Sequence, residues 1–130
     1  MKKRVILVVD DEVEIRNLFF RHLGKKGFIV HLAGSIEEEE KIMDVLIPDL
    51  IFLDIHLPDG NGLDALRKLK PYCEDCKVIM MSAFDHLKER KEAIASGAID
   101  FLSKPFSLHK LNQVIDSRFN SSNKTKEDHG

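Results

Sequence analysis

Apolar residues along this chain fall into short continuous runs, separated by amphipathic stretches. Val5-Ile6-Leu7-Val8-Val9 is apolar throughout, which predicts a strand buried on both faces. Ile15, Leu18, Phe19, His22 and Leu23 recur at helical spacing, and Gly27 predicts the stop. Phe28 to Leu32 reads as a second strand. Ser35 with Glu38 three residues on forms a capping box, opening a helix that ends before Pro48. Leu50 to Leu53 predicts a third strand, Leu63 to Leu69 a helix closed by Pro71, and Val78 to Met81 a fourth strand. A helix over Asp85 to Ser96 stops at Gly97, Ile99 to Leu102 gives a fifth strand, and Ser107 caps a last helix through about Phe119. Five β-then-α units with wholly apolar strands imply an α/β fold, a doubly wound five-stranded parallel sheet with five helices covering both faces. Residues 1–119 are expected to form that domain. Residues 120–130 carry no apolar side chain and are expected to be a disordered tail or a truncated linker.

Composition narrows the class. The 130 residues suffice for one domain with a real core, and 43% apolar with 32% charged residues describes a folded chain. Twenty basic against 22 acidic residues leave a charge of −2, so no general attraction to nucleic acid or to an anionic membrane surface is expected. No apolar run approaches the ~20 residues of a membrane helix. Met1-Lys2-Lys3-Arg4 before Val5 to Val9 looks briefly like a signal peptide, but Asp10-Asp11-Glu12 ends the apolar run too early. Two cysteines make no disulfide framework, which points to a reducing cytoplasm. Cys73 and Cys76 form a C-x-x-C that precedes a strand instead of opening a helix, and no second pair completes a zinc site. They are expected to be incidental loop cysteines.

Ligands of an open parallel sheet bind beyond the carboxyl ends of its strands. Asp10 and Asp11 follow the first strand, Asp54 and then Asp59 the third, Ser82 the fourth, and Lys104 with Pro105 the fifth. Ala33, after the second, is chemically blank and suits an edge strand. Carboxylates gathered at one rim repel each other unless a cation or an ammonium relieves them. Mg²⁺ takes oxygen ligands and is typically held by one or two carboxylates plus phosphate oxygens. Lys104 offers a point charge and Ser82 a neutral donor. Carboxylate, metal, lysine and hydroxyl together describe a phosphoryl-transfer site.

Four segments carry a family resemblance: Val8-Val9-Asp10-Asp11-Glu12, Leu53-Asp54-Ile55-His56-Leu57-Pro58 with Gly62, Met81-Ser82-Ala83, and Lys104-Pro105-Phe106. In order and spacing they resemble the receiver domain of two-component response regulators, over roughly residues 4 to 119. The resemblance implies a flavodoxin-like strand order 2-1-3-4-5. It implies Asp54 as phosphoacceptor, taking a phosphoryl group from a phosphohistidine on a sensor kinase or a histidine phosphotransfer protein. It implies Mg²⁺ on Asp10, Asp11, Asp54 and the backbone carbonyl of His56, with Lys104 and Ser82 on the phosphoryl oxygens. Phe101 matches the switch aromatic that turns inward as Ser82 moves, and Lys104-Pro105 the cis peptide that aims the lysine. Output would pass to a downstream effector protein or domain through the fourth helix, fifth strand and fifth helix, a surface that also supports homodimers. Such a module modifies only itself and is not an enzyme in the usual sense.

Other readings stay beside these. Asp11 with Glu14 also suits a helix cap. His56 is either a loop residue lending only its carbonyl or a modulator of phosphate lifetime. Phe20 falls off the apolar stripe of the first helix and is assigned to partner contact. Glu39 and Glu40 share a helical face with Ile36 and Met43, where receivers place small and apolar residues, so the packing of that helix is open. The rival classes are the receiver piece of a longer transcriptional regulator, a phosphohydrolase with an aspartate nucleophile, and a degenerate receiver. Asp54-Ile55-His56 lacks the second acid expected of the hydrolase.

Overall fold

The computed structural model describes residues 3–84 and 87–119. The elements run β1 (Val5–Val9), α1 (Val13–Lys25), β2 (Ile29–Ala33), α2 (Ile36–Met43), β3 (Leu50–Asp54), α3 (Gly62–Tyr72), β4 (Lys77–Ser82), α4 (Leu87–Ala95), β5 (Asp100–Ser103) and α5 (Leu108–Phe119). All five strands are parallel, in the spatial order β2-β1-β3-β4-β5, so the predicted topology and the edge position of β2 hold. His56–Leu57 and Gly60–Asn61 form a small antiparallel ladder between β3 and α3.

The core explains why the strands are wholly apolar. Alternate side chains of a strand point to opposite faces. Leu7, Val9, Ile51, Leu53 and Met80 enter one buried cluster with α3, while Ile6, Val8, Phe52, Ile79 and Met81 enter another with α1 and α5. Phe19 of α1 meets Phe52 of β3 at 4.8 Å between ring centroids, tying that layer to the sheet.

Several boundaries differ from expectation. Helix α3 continues through Pro71 to Tyr72, and the Cys73 amide still reaches the Leu69 carbonyl at 2.9 Å. In the last turn the missing proline N–H removes a single helical bond, so the helix need not stop before it. β2 and β5 each begin one residue later than their apolar runs. The start of the fourth helix predicted at Asp85, and the tail 120–130, lie outside the described residues.

The cysteines are not incidental. Cys76 is buried in the core, Cys73 packs against it, and the two sulfurs are joined in a disulfide. The short turn after α3 sets their Cα atoms 5.3 Å apart, inside disulfide range.

Helix α2 keeps its register despite its acids. Ser35 Oγ accepts from the Glu38 amide at 3.2 Å, and Glu38 Oε1 accepts from the Gly34 amide at 2.6 Å, a capping exchange displaced by one residue. Glu40 is exposed, but Glu39 turns inward and is only 3% exposed. Burial, with the charges of Glu40 and Asp59 adding to it, pushes the Glu39 carboxyl up to about 7.

A folded-state value above the unfolded one means that the native state binds this proton more tightly. Stability therefore falls as pH rises from about 4.5 to about 7, and is level above that. Glu39→Gln should remove this slope, with a gain of roughly 2–3 kcal/mol at pH 8 over its effect at pH 4. Urea unfolding of both proteins across that range isolates Glu39 from the other titrating groups on and around α2, among them His31, Glu37, Glu38, Glu40, Asp44 and Asp59. Parallel profiles would refute the assignment.

Candidate functional site

Strand register builds the site. Val9 pairs with Leu53, Asp54 with Met81, and Ser82 with Ser103. Each apolar run ends at its first polar residue, so the register sets Asp10, Asp54 and Ser82 along one rim. Hydrogen bonds carry the ladder onward, from Ile55 N–H to the Met81 carbonyl and from Lys104 N–H to the Ser82 carbonyl, both at 2.9 Å. Lys104 is thereby held beside the acids, followed by a cis peptide to Pro105.

Lys104 Nζ lies 2.6 Å from Asp10 Oδ2, 2.8 Å from Glu12 Oε2 and 2.9 Å from Asp54 Oδ2. Asp10 and Asp54 are buried, and the lysine side chain is 10% exposed. Burial works against the Lys104 ammonium, but the three carboxylates outweigh it and hold its pKa above the ordinary lysine value. Burial pushes Asp10 the other way, raising its pKa, with Lys104 and the Glu12 amide opposing the shift and the Asp54 charge adding to it.

Backbone amides fix the carboxylates in place. Glu12 N–H donates to Asp10 Oδ1 at 2.8 Å, and His56 N–H to Asp54 Oδ1 at 3.2 Å. Gly62 packs so closely behind β3 that a Cβ there would overlap the Asp54 carbonyl oxygen. Ser82 is buried, and its Oγ accepts from the Phe84 amide at 3.0 Å, which leaves its O–H to donate. The His56 ring is half exposed, 5.1 Å from the Phe84 ring, with Nε2 3.6 Å from Glu89 of α4.

The acids gathered in the structure differ from the ligand set that the resemblance implies. The acids whose oxygens lie within 4.8 Å of one another are Asp10, Glu12 and Asp54, whereas Asp11 is exposed and outside the group. The backbone turn after β1 points Asp11 outward and brings Glu12 to Lys104. A charged side chain three residues beyond the end of β1 was the available signal for Glu12. The remaining assignments have clear positions. Phe101 is already inward at 4% exposure, beneath the Arg90 guanidinium at 4.9 Å. Phe20 stands 51% exposed on α1, away from the rim.

The donor set fits a hard divalent cation. Asp10, Glu12 and Asp54 each bring a carboxylate oxygen within 4.8 Å of the others, an all-oxygen set of the kind such an ion takes.

The response regulator receiver domain profile matches residues 6–116 of the chain. Regulatory protein AtoC of Escherichia coli is 30% identical over 122 residues, covering 94% of this chain and 26% of AtoC. Transcriptional regulatory protein TrcR of Mycobacterium tuberculosis is 36% identical over 106 residues, covering 82% of this chain and 41% of TrcR. The chain thus spans about a quarter to two fifths of these two relatives. Among solved structures, a two-component response regulator from Clostridium difficile superposes with a TM-score of 0.88 at 27% identity, covering 93% of this chain and 99% of that one.

Mg²⁺ is expected to raise the thermal midpoint of the protein in proportion to its occupancy. Asp10→Asn should weaken the apparent Mg²⁺ affinity about tenfold or more, read from the midpoint against Mg²⁺ concentration. Equal affinity in the two proteins would exclude Asp10 as a ligand.

Proposed function

Because the chain belongs to the response regulator receiver domain family, we propose that Asp54 is the residue on which it receives a phosphoryl group. A receiver is a phosphoacceptor module of two-component signalling, not an enzyme acting on a separate substrate. One observation carries the choice of residue. The Asp54 carboxylate ends the central strand at the rim, with one oxygen on the His56 amide and the other on Lys104.

An Asp54 oxygen would attack the phosphorus of a partner's phosphohistidine. The O–P bond of an acyl phosphate forms as the N–P bond breaks, and the imidazole leaves with a proton. Lys104 would follow the charge onto the phosphoryl oxygens, and Ser82 would donate its hydroxyl proton to one of them. Asp10, Asp11, Asp54 and the His56 carbonyl are proposed to hold Mg²⁺, Asp11 by turning in from its exposed position. Bound there, the ion would neutralise charge on the carboxylates and the transferring group. Glu12 acts as a positioning residue through its contact with Lys104.

The added charge, roughly −2, would offer Ser82 and Lys104 phosphoryl oxygens in competition with their present partners, which biases the α4-β5-α5 surface. Phe101 and Ser82 are the proposed switch pair. The partners are a sensor histidine kinase or histidine phosphotransfer protein, contacted in part through Phe20, and a downstream effector protein or domain. Homodimerisation through α4-β5-α5, a receiver spanning 1–119 and a cytoplasmic setting complete the proposal. No described helix is long and apolar enough to cross a membrane. Since the two relatives described extend well beyond the matched region, this receiver also suits a piece of a longer regulator.

With Mg²⁺ and acetyl phosphate, intact mass should show one slowly decaying phosphoryl adduct, absent from Asp54→Asn. Persistent stoichiometric labelling of that variant would move the acceptor elsewhere. Phe20→Ala should slow transfer from the cognate kinase while labelling by acetyl phosphate stays as in wild type. Unchanged transfer from the kinase would remove Phe20 from the partner contact.

A further inference from the structure

Glu37 to Glu40 place four acids in the first turns of α2, and only Glu39 is driven inward. It lies three residues from Ile36 and four from Met43, on the face turned toward the core and α3. Its Oε2 is buried and accepts no hydrogen bond, so the native fold carries a polar group that it does not satisfy. Glu40 and Asp59 are the charges that act on it, and both repel. Lys68 of α3 lines the same space without forming an ion pair with Glu39.

That space is a groove of about 550 Å³ between α2 and α3, within the range of sites that accept side chains or small ligands. Met43 and Leu69 line its walls. Ile47 and Tyr72, 72% and 90% exposed, stand at its edge as large apolar groups in water. The acids Glu39, Glu40 and Asp44 outnumber its one cation. It therefore combines an apolar wall with an unsatisfied acid.

We propose that the α2–α3 groove is a docking site for a partner protein that inserts an arginine or lysine side chain against Glu39 and lays apolar side chains on Ile47 and Tyr72. Charge complementarity selects this occupant. A long aliphatic stem matches Met43 and Leu69, and the cationic head supplies the donor that Oε2 lacks. An anionic partner would meet three carboxylates, and among the described residues these acids do not converge closely enough to hold a metal ion. The raised proton affinity of Glu39 is the cost that such a cation would relieve. The site is separate from the phosphoryl-transfer rim and does not rest on that reading.

The ¹⁵N-labelled full chain can be titrated with an acetylated amphipathic peptide of leucine, alanine and arginine, at pH 8. A second peptide replaces each arginine by citrulline, which keeps the shape and removes the charge. Amide shifts from the arginine peptide should cluster in residues 36–47 and 62–73. Citrulline replacement, and separately Glu39→Gln, should each weaken binding about tenfold or more. Glu39→Gln is expected to fold at least as well as wild type and to label normally with acetyl phosphate. Tyr72→Ser, at an exposed position, should also weaken binding with no change in the fold. Equal binding of the two peptides, equal binding by Glu39→Gln, shifts centred elsewhere, or no shifts up to about 1 mM peptide would each overturn the proposal.

Discussion

The Lys104 ammonium is what allows three carboxylates to share one rim. Asp10 and Asp54 are buried, and adjacent buried acids of like charge cannot all stay ionised without compensation. A single ammonium within 3 Å of all three supplies it. The rim still gathers more negative than positive charge, three carboxylates around one ammonium. A site of this kind is poised for a cation, whose positive charge offsets carboxylates that one ammonium does not fully balance. The remainder of the fold holds that imbalance in place. Parallel register lines up the strand ends, Gly62 lets α3 close behind Asp54, and backbone amides fix the carboxylate orientations.

From this rim, physical connections lead toward α4 and β5. Ser82 is tied to the backbone of Phe84, Phe84 stacks edge-on against His56, and His56 lies near Glu89 on α4. Arg90 of α4 covers Phe101 and donates to Ser103 of β5 at 2.9 Å. A new group on Asp54 would therefore disturb a continuous set of contacts. The inward position of Phe101 coexists here with a Ser82 hydroxyl oxygen bonded to its own loop, so aromatic and hydroxyl need not move as one rigid unit.

The α2–α3 part of the same sheet face is less uniform. Helix α2 carries a buried glutamate where an apolar residue would pack without cost, and the turn after α3 carries a disulfide between the buried Cys76 and the half-buried Cys73. Glu39 is retained at the expense of native stability at neutral pH. Cys73 lines the same groove as Glu39, so both unusual features meet on one surface.

Local pattern alone determined the strands, the helices and most of the rim. A strand buried on both faces must be apolar until it reaches the sheet edge, so its first polar residue marks the site. That is why Asp10, Asp54 and Ser82 were legible as chemistry, while Lys104, just past Ser103 at the end of β5, was legible from its charge, and why their spacing named the family. Tertiary structure decided whatever depended on distant partners. Asp11 and Glu12 are equally acidic neighbours, and only the backbone turn toward Lys104, 92 residues away in the chain, separates them. Glu39 and Glu40 are equivalent in composition, and only the approach of α3 buries one and leaves the other in water. The cysteines read as loop residues because their burial comes from α3 and β4 folding over them. Sequence periodicity reports which face of an element is covered. Which polar group is buried with a partner, and which without one, is set by the elements that pack around it.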